Sequence, residues 1–227
     1  MAGMACDQVS TVIETVACYL RGWTTSSAAR LVDATIVNVG YRSTNYWVIS
    51  AGRSRLLIDL GWPRTMGLMR ANLRRMDVPL AEIRYALATH YHIDHAGLAE
   101  ELKQAGVPLL VAETQPDGIR LLNEWGRARP NEGVVEITDR SNVALSFAES
   151  RELLAGIGIA GELLPTPAHS ADSVSLLLDD GSAFTGDLGP LRADEPADLV
   201  ARCWRLLREH GLRRVYPGHG PAREGSA

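Results

Sequence analysis

Three of the chain's six histidines stand within seven residues, Thr89-His90-Tyr91-His92-Ile93-Asp94-His95, directly behind the apolar segment Ile83 to Ala88. With histidine this rare, a His-x-His-x-Asp-His spacing arises at a given start by chance on the order of once in a million. An apolar strand keeps the loop at its end rigid, and a tight loop turns alternate side chains toward one point. Neutral imidazoles with a carboxylate suit zinc, and also iron or manganese in mixed nitrogen and oxygen sites. The competing reading, a solvated polar loop without a metal, has to treat the spacing as coincidence.

The surrounding sequence alternates between strand-like and helix-like patterns. Ala34 to Val39, Asn45 to Ser50 and Arg55 to Asp59 are separated by turn-forming residues and predict a small antiparallel meander. The period then changes. Met66, Met69, Leu73 and Met76 mark one helix face, Ile83 to Ala88 a buried strand, Leu98, Leu102 and Ala105 a second helix, and Val107 to Val111 another strand. The second half predicts helices near Ile119 to Trp125 and from Ser146 to Ala155, then strands at Ile159 to Leu164, Ser173 to Leu178 and Ala183 to Thr185. A helix with Val200, Cys203, Trp204 and Leu207 on one face precedes a last strand ending at Tyr216. Such a chain is α/β, with sheets packed together and helices outside.

The 227 residues suit one sizeable domain. Val9, Val12, Ile13, Val16 and Leu20 predict a further helix ahead of the chemistry, followed by the polar linker Thr24 to Ser27. Residues 1–30 therefore read as an N-terminal helical extension of a domain covering 31–227. Plain packing is the first reading of that helix; a contact that makes a homo-oligomer is another.

His90-x-His92-x-Asp94-His95 resembles the signature of the metallo-β-lactamase superfamily, and three later segments keep that family's order: Thr166-Pro167-Ala168-His169-Ser170, Phe184-Thr185-Gly186-Asp187 and Tyr216-Pro217-Gly218-His219-Gly220. Taken singly, His169, Asp187 and His219 are no more than turn or loop residues. The resemblance covers roughly residues 34 to 221 and implies an αββα sandwich, two packed mixed β-sheets flanked by helices. It also implies two divalent metal ions, zinc ahead of iron or manganese. His90, His92 and His169 would hold one, Asp94, His95 and His219 the other, with Asp187 bridging. Asp59, in Leu56-Leu57-Ile58-Asp59-Leu60-Gly61, resembles the family's earlier aspartate, whose implied place is beside the histidine loop as an orienting partner. A turn aspartate is the competing reading. Ala168 stands where many members carry glycine, a departure that removes no ligand. His210, the sixth histidine, reads as a surface residue near a helix C-terminus.

The reaction so implied is hydrolysis by a hydroxide held between the metals, with Asp94 also moving a proton. Fold alone does not choose the bond. An ester, thioester or lactone of a small molecule is the leading expectation. The alternatives are a β-lactam or phosphodiester hydrolase, a mononuclear iron sulfur dioxygenase, and a catalytically silent metal-binding protein. A net charge of −4 without a basic run argues against nucleic acid or an anionic membrane as partner. Three scattered cysteines, no membrane-length apolar stretch and no signal-peptide pattern predict a cytoplasmic protein. Candidate wall residues are Tyr46, Trp47, Trp62, Tyr91 and the segment Trp125 to Glu132 with Arg127 and Arg129, although simple packing or solvated surface is the commoner reading of each.

Overall fold

The computed structural model describes residues 34–190 and 197–225. The helix and linker expected within residues 1–30, and the subunit contact suggested for them, lie outside the described residues. The meander is present as β1 (Thr35–Asn38), β2 (Trp47–Ala51) and β3 (Ser54–Ile58), paired antiparallel. The chain then alternates through α1 (Met66–Arg75), β4 (Ile83–Leu87), the short α2 (Ile93–Ala96), α3 (Ala99–Gln104), β5 (Leu109–Ala112), α4 (Pro116–Ala128) and β6 (Asn142–Leu145). After α5 (Phe147–Gly156) come β7 (Gly161–Pro165), β8 (Val174–Leu178), β9 (Ser182–Gly186), α6 (Ala197–Glu209), β10 (Arg214–Pro217) and β11 (Arg223–Glu224).

The strands form two mixed sheets, one in the order β1-β2-β3-β4-β5-β6 and the other β11-β10-β9-β8-β7. Their packing follows from the two-residue period of a strand. In β2, β3, β4 and β5 the residues Trp47, Ile49, Leu56, Ile58, Leu87 and Leu110 enter one apolar cluster with Leu163, Val174, Leu176 and Phe184 of the second sheet. Their neighbours Val48, Leu57, Ala86 and Leu109 point to the other face and meet Met69, Leu73, Leu98, Leu102 and Leu122 of the covering helices. On the far side, Leu164, Leu177 and Ala183 pack against Val200, Cys203 and Leu207 of α6. Strands covered on both faces read as near-continuous apolar runs, which is why the central ones are visible in the sequence. The layers are helix, sheet, sheet, helix, as the resemblance implied.

Some elements depart from expectation. β6 has no counterpart in the sequence reading, because only Leu145 of its four residues is buried. The helix expected at Ile119 to Trp125 runs longer at both ends, starting at Pro116, whose missing N–H costs nothing in a first turn. α5 begins behind Ser146, whose side chain accepts from Glu149 N while the Glu149 carboxylate accepts from Ser146 N, a reciprocal cap. No helix among the described residues is long and apolar enough to cross a membrane.

Candidate metal centre

β3 and β4 run parallel in one sheet; in the other, β9 and β10 are parallel and β7 shares their direction through two antiparallel steps. The carboxyl ends of these five strands deliver Asp59, the His90 to His95 run, His169, Asp187 and His219 to one edge of the sandwich. The structure thus brings together all seven ligand candidates of the sequence, from segments as much as 129 positions apart (His219 less His90).

The ligand-type atoms form the two expected triads and a third close group, His90, His95 and Asp187, that links them. Nδ1 of His92 lies 3.1 Å from both Nε2 of His90 and Nε2 of His169. In the second triad, Oδ2 of Asp94 is 3.4 Å from Nε2 of His95 and 3.3 Å from Nε2 of His219. Asp187 stands between them: Oδ1 is 3.3 Å from Nε2 of both His95 and His219, while Oδ2 is 3.6 Å from Nε2 of His169. Neighbouring ligands of a tetrahedral ion with bonds of ~2.0–2.1 Å sit about 3.4 Å apart, so these spacings fit a metal centre. Nε2 of His95 adds a second sign of fit: it is buried without a hydrogen bond, although two carboxylates face it. A buried nitrogen left so is costly unless something binds it.

The ring orientations are set by partners behind the cluster. Asp59, 1% exposed and at φ 60°, accepts from Thr89 N and Thr89 Oγ1 on Oδ1, both at 2.8 Å, and from His95 Nδ1 on Oδ2 at 2.8 Å. That fixes a His95 proton on Nδ1 and turns Nε2 to the cluster. The single Thr89 hydroxyl proton goes to Asp59, so the 3.2 Å contact with His90 Nδ1 is donation by the ring, which leaves the His90 Nε2 lone pair facing inward. His219 donates Nδ1–H to the Ser43 carbonyl at 2.8 Å. The loop behind it is stitched to the meander by Asn45 Nδ2, which donates to the carbonyls of Pro217 and Gly220, and by Trp47 Nε1, which also donates to Pro217. Gly218 is required by space: a Cβ there would lie 2.6 Å from His95 Cε1 and 2.7 Å from Asp187 Oδ1.

The charges of the metal-free protein divide along the same lines. Burial, reinforced by the neighbouring imidazoles, pushes His90 well below its usual range, and burial with His169 nearby lowers His92. Burial alone would depress His95 too, but Asp59 on one nitrogen and Asp187 facing the other push it up to about 10. The Asp187 and Asp94 carboxylates raise His219 to about 10 as well. Burial disfavours both carboxylates as anions, yet His219 and His95 outweigh it and hold Asp94 and Asp187 below their ordinary values. His90 and His92 are thus ready to bind as neutral imidazoles, whereas the second triad holds protons that a metal must displace.

Sequence reasoning missed three supports. Thr44 Oγ1 donates to Asp94 Oδ2 at 2.9 Å, Asp172 Oδ2 accepts from Tyr91 N at 2.7 Å, and the fully buried Gln115 donates from Nε2 to Ala88 O at 2.8 Å. None belongs to a spaced motif; only the tertiary fold brings them near. The candidate wall residues divide, and most of them follow the commoner reading as packing or surface. Tyr46 and Tyr91 are buried in the core under the first sheet, and Trp47 lies between the sheets, edge-on to Phe184 and Tyr216, because all three occupy inward positions in or beside strands. Arg127 is paired with Glu136, and Arg129 lies over the Trp125 ring. Trp62 and Glu132 do line a cavity of about 190 Å³, with Tyr41, Arg42, Pro63, Thr65 and Ile93, the last of these from the ligand loop. His210 accords with its surface reading: it is exposed, beside the α6 terminus, with Nδ1 2.9 Å from Leu206 O.

Known proteins share this architecture. The family model of the metallo-beta-lactamase superfamily matches residues 39–226. A lactamase-like protein, nscB of Trichophyton equinum, is 30% identical over 200 residues, covering 86% of this chain and 53% of the relative. An atrochrysone carboxyl ACP thioesterase of Aspergillus terreus is 30% identical over 185 residues, covering 79% of this chain and 50% of the relative. The chain thus spans about half the length of these curated relatives. Among solved structures, TTHA1623 in a di-iron-bound form superposes with a TM-score of 0.64 at 22% identity, covering 84% of this chain and 94% of that one. Strand order, the histidine and aspartate cluster at the strand ends and the matched length together place the chain in the metallo-beta-lactamase superfamily.

Proposed function

We propose that the protein is a dinuclear metal-dependent hydrolase that cleaves a thioester of a small acyl substrate. The observation that carries the two-metal reading is Asp187, whose two oxygens face different triads. His90, His92 and His169 would hold one ion and Asp94, His95 and His219 the other, zinc being the ion best suited to this nitrogen-rich set. When bound, such a pair supplies an acidified water and a Lewis acid that polarises a carbonyl. The thioester is favoured over an ester or lactone by the fungal thioesterase relative.

The chain's own residues then have definable tasks. Asp59 and Thr89 hold two imidazoles in one tautomer, so no reorientation is needed during turnover. Thr44 engages Asp94 Oδ2, which leaves Oδ1 as the oxygen that takes a proton. The inner face of the cluster, where His90 and His95 are 0% exposed, excludes water from behind.

The test is a panel of thioester, lactone, β-lactam and phosphodiester substrates on protein of measured metal content. Two metals per chain and a thioesterase activity lost on chelation and restored by zinc are expected. Turnover of another class without the thioester, or full activity with one metal per chain, overturns the proposal. Asp94→Asn with unchanged metal loading and an unchanged solvent isotope effect would remove the proton-transfer role.

A further inference from the structure

The Tyr41-Arg42-Ser43-Thr44 turn closes with reciprocal backbone bonds between Tyr41 and Thr44, and it is tied to the cluster twice, through Ser43 O to His219 and through Thr44 Oγ1 to Asp94. Its second residue, Arg42, sits at φ 57°, a left-handed conformation in which glycine or asparagine is usual. Its guanidinium lies 5.4 Å from the Tyr41 ring centroid and 5.5 Å from that of Trp62. No carboxylate among the described residues lies within ion-pair distance of it. The fold therefore places an exposed arginine in an unfavoured backbone conformation and sets it against two rings, with no anion from the described residues. Strain of this kind gathers at functional positions.

We infer that Arg42 is a specificity-determining residue that binds a carboxylate at the far end of the substrate's acyl group. The inference rests on the hydrolase reading above and names its substrate class: a short dicarboxylic acyl thioester. Arginine's planar fork matches a carboxylate in two-point fashion, and stacking on rings holds it ready for that contact. A cavity of about 190 Å³ has room for about six water-sized groups, which suits a chain of three or four carbons ending in carboxylate. Arg42 precedes Ser43, whose carbonyl accepts from His219, and shares its cavity with Ile93 of the ligand loop, so the chain itself links this arginine to the cluster. Glu132, which lines the same cavity, repels a second negative charge and limits the affinity.

The experiment compares the glutaryl thioester of N-acetylcysteamine with its isosteric terminal amide on zinc-loaded protein. The wild type is expected to favour the carboxylate in kcat/KM by about tenfold, mostly through KM. Arg42→Gln should collapse that ratio to within about twofold, Arg42→Lys should keep part of it, and Glu132→Gln should raise it. Arg42→Gly should collapse the ratio and yet raise the melting temperature, since glycine relieves the backbone; a merely structural arginine would give a lower one. A wild-type ratio near one, or an Arg42→Gln effect equal on both substrates, overturns the inference. If neither thioester is hydrolysed the hydrolase reading fails, and calorimetry with the non-hydrolysable thioether analogues decides the inference separately. Binding of the carboxylate analogue weakened about tenfold by Arg42→Gln upholds it, and binding indifferent to that change overturns it.

Discussion

Asp59 shows how much one carboxylate behind the cluster controls. Replaced by asparagine, it keeps an oxygen for Thr89 but presents an amide N–H₂ to His95 Nδ1, which is already a donor. His95 must then take the other tautomer and turn a proton toward Asp94 and Asp187. Asp59→Asn is expected to weaken metal binding by about 10- to 100-fold with the fold retained, read from metal titration and far-UV circular dichroism. The pH behaviour of metal-free protein follows from the same residues. His95 and His219 are raised to about 10, so the stability they add is whole below their ordinary value of 6.5 and is lost as pH climbs toward 10. His90 and His92 are lowered, so stability also declines as pH drops below 6.5, where the unfolded chain binds protons that the folded chain refuses. Denaturant midpoints should therefore peak near pH 6.5. Zinc uptake at pH 8 should release about two protons, measurable by calorimetry in buffers of different ionisation enthalpy. At this scale the legibility of the sequence was uneven. His90, His92, Asp94 and His95 stood on their own spacing, His169, Asp187 and His219 on their order in the resemblance, and Arg42 on nothing visible, because its meaning lies in a backbone angle and two rings.

Elements were legible in proportion to their burial. β2, β3 and β8 are buried along most of their length and announced themselves as apolar runs, whereas β6 is half-open and pairs only with β5, so Asn-Val-Ala-Leu carried too little pattern. α5 lies where the sequence places a helix, from Ser146 to Ala155, and the reciprocal cap between Ser146 and Glu149 fixes its start. The strand ends are less forgiving. Gly186 closes β9 at φ 52°, and a Cβ there would collide with Thr89 Oγ1, the hydroxyl that orients His90. Gly186→Ala should cost roughly 1–3 kcal/mol in chemical denaturation, from the left-handed backbone conformation alone. It should also lower zinc affinity by displacing Thr89. A variant with wild-type stability and affinity would show that β9 can shift freely, contrary to its pairing on both sides.

On the scale of the whole molecule, the cluster joins two sheets that otherwise meet chiefly through apolar side chains. Asp94 and His95 follow the first sheet's β4, whereas His169, Asp187 and His219 follow strands of the second. Bound metal should therefore act as a clamp on that edge. Chelation is expected to lower the melting temperature and to speed hydrogen exchange at the ends of β4, β9 and β10 more than at the opposite edge, with both changes reversed by zinc. Uniform exchange along the strands would argue against such a clamp. The layered architecture was legible because alternation of strands and helices dictates it. The placement of the wall residues was not, since an aromatic beside a strand can face the core or the cleft and only the register decides.

The last ligand loop is held to the meander by Asn45 and Pro217, 172 positions apart. During synthesis on the ribosome, His90, His92 and His169 have all been made some fifty residues before His219 appears (219 less 169). A nascent chain thus carries one complete triad while the other still lacks a member and the meander has nothing to close against. On the two-metal proposal, the first ion is then expected to be captured before the second, whose triad is complete only when the C-terminal strand has docked.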